Sequence, residues 1–387
     1  MRSTAIDAGH ARPRPPMRRR VLQALGAGGL AAAVARPSLA AQPQADAVRY
    51  VACRQRDGAQ EAAVIDLQGR DQAVVPLPER GHSFAIDPPT RRIVAFGRQP
   101  GFYALAFDEH GRQLAELPLP EDRHYFGHGV FVDGGRRLLA TENDFDGARG
   151  VLGVYDASAG GGYRRLGELD GGGVGPHEVV ALPGTRIVVV ANGGIQTHPD
   201  YGKMALNLAA MRPSLVYLDW SNGDILERVE LGDALRQLSI RHLAVDGDGR
   251  VWFGCQYVGP AGDRPALVGS HRRGQAQARL HEGSAEVLRG LDNYVGSMAV
   301  DWSGTIVATS SPVGGAVAYW EAASGRLLGT TALGDGCGVA PGRGAGDFLL
   351  SSGEGELRRV HAAQPGRTLL RVEGLAWDNH MRRLDKV

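Results

Sequence analysis

Three observations predict an all-β ring, a seven-bladed β-propeller closed by strands from both ends of the chain. A short refrain, in which a small or histidine residue leads into an apolar run, recurs seven times between Gly81 and His380. Each of the first six refrains passes directly into a second β-rich stretch. The seventh has little chain after it, while three spare β-rich stretches precede the first. Refrain positions 82, 128, 177, 242, 297, 337 and 374 lie 46, 49, 65, 55, 40 and 37 residues apart. Four short antiparallel strands with tight turns occupy about 40–50 residues, the length of one blade. The 56 glycines are dispersed beside Val, Ile and Leu runs, so they read as turns and not as collagen or disorder.

Along the chain, VRYVACR from Val48, EAAVIDLQG from Glu61 and QAVVPLP from Gln72 supply the three spare strands. The refrains follow: GHSFAID from Gly81, GHGVFVD from Gly127, PHEVVAL from Pro176, RHLAVDGDG from Arg241, GSMAVDWSG from Gly296, GCGVAPGRG from Gly336 and GLAWDNH from Gly374. Second strands such as RRIVAFG, TRIVVVANGG and GRVWFGCQY come next. Later runs such as ALAFDEHGR and LVYLDWSNG end in Asp/Ser/Gly turns suited to tight hairpins. The last blade takes one C-terminal strand and the three N-terminal ones, which removes the open sheet edge. The third repeat is long because of Gly193 to Pro213, too polar and irregular for a strand. It reads as a loop over one face, where binding loops lie.

Residues 1–41 differ from the rest. Arg18-Arg19-Arg20-Val21-Leu22-Gln23, a weakly apolar run and Pro37-Ser38-Leu39-Ala40-Ala41 have the order of an export signal. The paired arginines resemble the twin-arginine type, so the expected location is the periplasm. Residues 1–16 carry no such signal, and Met17 is an alternative start. The propeller domain is then 42–387, and no stretch is long and apolar enough to keep it in a membrane after signal removal. Loss of residues 1–40 takes seven of 43 basic and one of 42 acidic side chains, leaving 36 against 41, net −5. That balance does not invite nucleic acid. Three cysteines without a CxxC pair argue against a disulfide framework and against c-type haem attachment.

His82, His128, His177 and His242 hold the same place in four successive refrains. On neighbouring inner strands they converge near one channel mouth, where neutral imidazoles suit Fe, Cu or Zn. The alternative is structural capping, as the Gly-His pair provides in WD-repeat propellers; the place of the His relative to the turn Asp also slips by one residue at His242. Cys337 takes the His place in the sixth refrain, and His198 lies in the insertion; both are lesser metal candidates. Cys53 and Cys255 fall in apolar strands and read as buried. Glu142, Asn192 and Asp292 follow second strands and suit a hard divalent cation or ordinary turns. The chain carries no GxSxG, SxxK, HExxH or Walker signature.

The stretch NGGIQTHPDYGKMALNLAAMRPSLVYLD from Asn192, with GVGPHEV, RHLAVDGDGRVWFGCQY, DGCGVA and the terminal WDNH, resembles an uncharacterised family, number 1513 among domains of unknown function. The resemblance spans about residues 48–383. It implies an exported propeller, often with a twin-arginine signal, in a genomic setting of periplasmic iron handling; the partners it implies are other proteins of that process. It transfers no catalytic residue, and a fold alone does not fix function. Three readings follow. The leading one is a non-catalytic binding protein holding a transition metal, or a metal-bearing ligand, at the His-lined mouth. The second is a hydrolase or lactonase-like enzyme using a cation held by Glu142, Asn192 and Asp292, which requires those residues to converge. The third is a docking scaffold, which requires the histidines to stand apart and the long loop to carry an apolar patch.

Overall fold

A computed structural model of the protein describes residues 48–386. The expected export signal lies outside the described residues. Seven four-stranded antiparallel sheets form the blades of a propeller. Their inner strands are Gly81–Asp87, Arg123–Val132, Pro176–Ala181, Leu238–Val245, Ser297–Val300, Gly336–Pro341 and Leu375–Arg383, which lead blades 1 to 7 in that order. Each inner strand packs against the next, and the seventh packs against the first, so the ring is closed.

Closure occurs as the sequence predicts. Leu375–Arg383 pairs with Arg49–Arg56, followed outward by Ala59–Asp66 and Asp71–Pro76. Backbone partners such as Tyr50 with Arg383 and Ala52 with Met381 join the two ends of the chain. The period-two alternation of each strand sends apolar side chains into the spaces between blades. Val51, Phe84, Ile86 and Phe107 fill the gap between blades 7 and 1, while Trp252 and Trp320 are buried in the core around blades 4 and 5.

The aspartates that end the refrains hold hairpins together. Asp246 accepts the backbone N–H groups of Asp248 at 3.0 Å and Arg250 at 2.9 Å, and the Trp252 indole N–H at 3.0 Å. Asp301 accepts those of Thr305 at 2.8 Å and Ile306 at 3.0 Å. These are side-chain turns made by short carboxylates. The insertion after Ile187–Asn192 is the expected loop, with single helical turns at Pro199–Tyr201 and Leu208–Ala210. Asn207 fastens it by accepting the Gln196 N–H at 2.8 Å and donating to the Gly194 carbonyl at 2.9 Å. Among the described residues, no helix is long and apolar enough to cross a membrane.

Candidate metal centre

The register of the inner strands places the site. In blades 1, 2, 3, 4, 6 and 7 the inner strand slips out of step with its neighbour once. His82, His128 and His177 lie within the slips of their blades, between Gly81 and Phe84, Tyr125 and Gly129, and Pro176 and Glu178. In blade 4 the extra residue is Arg241, and His242 resumes the pairing opposite Gly254. A bulge leaves one residue unpaired and re-aims its side chain. The one-residue displacement of His242 relative to its turn Asp is therefore absorbed by the bulge.

All four predicted histidines come together, and a fifth, His380, joins them. His128 has the other four around it, with ring centroids 5.0 Å from His82, 5.0 Å from His177, 6.1 Å from His242 and 4.7 Å from His380. His177 and His242 are 4.8 Å apart, and His82 and His380 are 4.7 Å apart. Two triads bring candidate ligand atoms within 4.8 Å of one another: His82, His128 and His177, and His128, His242 and His380. Nitrogens about 2.1 Å from one ion are at most about 4.2 Å apart. In tetrahedral or trigonal geometry the separation is about 3.4–3.6 Å, so closing either triad on a metal takes ring movements of up to about 1 Å.

The imidazoles are buried and under-satisfied. His82 Nδ1, His128 Nε2, His177 Nδ1, both nitrogens of His242 and His380 Nε2 lack hydrogen-bond partners. A buried polar atom left unpaired costs about 1–3 kcal/mol, so such a concentration needs a reason. Burial is the main cause pushing all five pKa values down, to about 4 for His242 and well below the ordinary value for His82, His177 and His380. The rings are accordingly neutral at pH 7, the form that binds a metal.

Glu178, the residue after His177, organises the second triad. Burial opposes its charge, yet His128 and, after it, the guanidinium of Arg382 hold its carboxyl well below the usual range. Its oxygens lie 3.6 Å from His128 Nδ1 and 3.5 Å from His242 Nδ1, and one accepts the Leu243 N–H at 3.1 Å. The first two distances exceed a good hydrogen bond, but the carboxylate favours the Nδ1–H tautomer of both rings. Ser297 Oγ lies 3.3 Å from His380 Nδ1. In each of these three rings the carboxylate or hydroxyl faces Nδ1, and Nε2 is left without a partner. Carboxylate–histidine–metal relays have this form.

The lesser candidates lie apart from the triads. His198 is partly exposed in the insertion, where its Nδ1 accepts the Asp200 N–H at 3.2 Å. Cys337 is buried in the blade 6 slip and belongs to neither triad, and burial pushes its thiol pKa well up. Its Sγ lies 3.1 Å from the Asp335 carbonyl. Cys53 and Cys255 are buried, as expected. The residues of the enzyme reading are engaged separately: Glu142 is held by Tyr155 at 2.6 Å and Arg165 at 2.8 Å, Asn192 donates to the Gly171 carbonyl, and Asp292 is exposed opposite Arg264. The histidines do not stand apart, as the scaffold reading requires, although the insertion does expose Tyr201 and Met204.

Sequence reasoning missed His380, Glu178 and Arg382. The seventh refrain aligns on Gly374 in the sequence, but a slip between Trp377 and Met381 brings His380 into the ring. The terminal WDNH was the available signal. Beside the cluster is a cavity of about 310 Å³, bordered by His82, His177 and His242, the insertion residues Ile195, Thr197, Lys203 and Ala205, and Arg98, Arg241 and Tyr294.

No curated protein matches the chain. A family described as "Protein of unknown function (DUF1513)" matches residues 75–384, which take in six whole blades and the C-terminal strand of the seventh, and the chain belongs to that family.

Proposed function

We propose that this protein is an exported, periplasmic binding protein that holds a transition-metal ion, Fe, Cu or Zn, on the imidazoles of its channel. The observation that carries the reading is the joint burial of five neutral histidines whose rings adjoin one another and which carry six unpartnered ring nitrogens. Imidazole nitrogen suits these three metals, whereas Ca²⁺ and Mg²⁺ call for oxygen ligands. His128, His242 and His380 are the primary ligands, because Glu178 and Ser297 face their Nδ1 atoms and leave Nε2 free. His82 and His177 complete the shell or receive the ion on entry, since both border the cavity. The twin-arginine pattern supports export in the folded state, and partners in iron handling are the ones that suit such a protein.

Metal analysis of purified protein after exposure to Fe²⁺, Cu²⁺ or Zn²⁺ tests this. Wild-type protein is expected to retain one of these metals in stoichiometric amount through gel filtration, and a His128→Ala/His242→Ala variant to lose it. Metal content near zero in both proteins with all three ions overturns the reading.

A further inference from the structure

Three cations border the cavity beside the imidazoles: Arg98, Lys203 and Arg241. They come from separate parts of the fold. Arg98 follows the second strand of blade 1, Lys203 belongs to the insertion of blade 3, and Arg241 is the bulged residue of blade 4. Among the described residues, no carboxylate borders the cavity. The acids close by are engaged with other cations: Asp378 with Arg80, and Glu178 with Arg382. Arg241 Nε is buried without a partner. Gly193 makes room for that guanidinium, because a Cβ there would come within 3.4 Å of Arg241 Nε and 2.8 Å of Ser239 Oγ.

Like charges gathered around a concave, low-dielectric wall cost free energy unless an anion offsets them. Arginine supplies a planar fork of donors matched to carboxylate and phosphate oxygens. Neutral donors are present as well, since Gln99, Gln256 and Asn379 border the same space. Gln99 Nε2 also bonds Thr197 Oγ1 at 3.2 Å, which ties the insertion to blade 1 across the mouth. The volume of about 310 Å³ suits a small ligand.

We propose that this cavity binds a small oxyanion bearing at least two negative charges, gripped by Arg98, Lys203 and Arg241, with one oxygen turned toward the imidazole cluster. The contact to the cluster rests on the metal reading above; the grip of the three cations does not. The bound species is then a metal together with its anionic chelator, or an anion that caps the metal.

Isothermal titration calorimetry of metal-stripped protein, with citrate, inorganic phosphate and neutral glycerol as probes, tests the proposal. Citrate or phosphate is expected to bind and glycerol to give no heat. The Arg98→Gln/Lys203→Gln variant is expected to bind the anion at least tenfold more weakly, with a melting temperature no lower than that of the wild type and unchanged metal content after zinc loading. Binding of citrate alone assigns a carboxylate ligand, and binding of phosphate alone assigns a phosphate. Binding of neither, or equal affinity in the variant, overturns the proposal whatever the metal content. Protein that binds the anion through Arg98 and Lys203 but retains no metal refutes the metal reading and leaves the anion pocket standing.

Discussion

At the scale of single residues, the chemistry turns on Glu178 more than on any one histidine. Its carboxylate lies within 3.6 Å of two imidazoles and pairs with Arg382, whose strand also carries His380. Removing its charge leaves Arg382 without that partner and frees both rings to choose the wrong tautomer. Partners behind metal-bound histidines are worth about 10–100-fold in affinity, and breaking a buried ion pair costs about 3–5 kcal/mol. Glu178→Gln is therefore expected to weaken zinc binding about 10–100-fold in competition with a chromophoric chelator, and to lower the melting temperature of the metal-free protein. Unchanged zinc affinity would show that Glu178 acts only in packing. Glu178 follows His177 directly, so it was visible in the chain. Its role is not legible there, because it depends on what blades 2, 4 and 7 bring to it.

Elements explain both what was legible and what was not. Seven refrains and their second strands gave the blade count, because hydrophobic alternation and turn residues are local properties. Blade closure was equally legible, since strands missing at one end were present at the other. The slips of the inner strands were not. A bulge is set by crowding at the axis, where one blade's residue must fit against the next blade's ring. Gly127 shows the constraint: its φ is +102°, and a Cβ there would come within 2.5 Å of His82 Cδ2. Gly160 has φ +83° and nothing within 4 Å of its would-be Cβ. Alanine at either position costs about 1–2 kcal/mol for the left-handed backbone. Only Gly127→Ala also displaces His82. Both variants are expected to melt earlier than wild type, but metal content is expected to fall only in Gly127→Ala. An equal loss in Gly160→Ala would mean that general destabilisation, and not ring placement, controls the site. The same crowding explains why His380 escaped sequence alignment: its position in the ring is reached after a slip, six residues past the glycine that marks the refrain.

On the scale of the whole molecule, a closed ring converts local burial into a shared pH dependence. His124 and His281 lie outside both triads, and burial is the chief cause pushing each to about 4. Nδ1 of His124 is 3.1 Å from the Tyr125 carbonyl and Nε2 is 3.0 Å from the Asn143 amide nitrogen, an arrangement that only a neutral ring satisfies. His281 stacks on Trp252 at 4.4 Å, and its Nε2 lies 2.9 Å from Ser270 Oγ. Both rings have folded pKa values below the unfolded value of about 6.5, so unfolding takes up protons. Their stabilisation is fully present above pH of about 6.5, declines as pH falls toward 4, and levels off below that. Each pKa unit corresponds to about 1.4 kcal/mol, which makes the loss on the order of 3 kcal/mol per ring. The channel histidines act in the same direction when no metal is bound. Carboxylates whose pKa values are held down by arginines, such as Asp71 beside Arg54, contribute their losses at lower pH. The two sources therefore separate along the pH axis. Urea unfolding of chelator-treated protein is expected to show a midpoint that falls steadily between pH 6.5 and 4.5, and His124→Gln is expected to flatten that slope by the contribution of one ring. A midpoint independent of pH across this interval would mean that the buried rings titrate in the fold as they do in the unfolded chain.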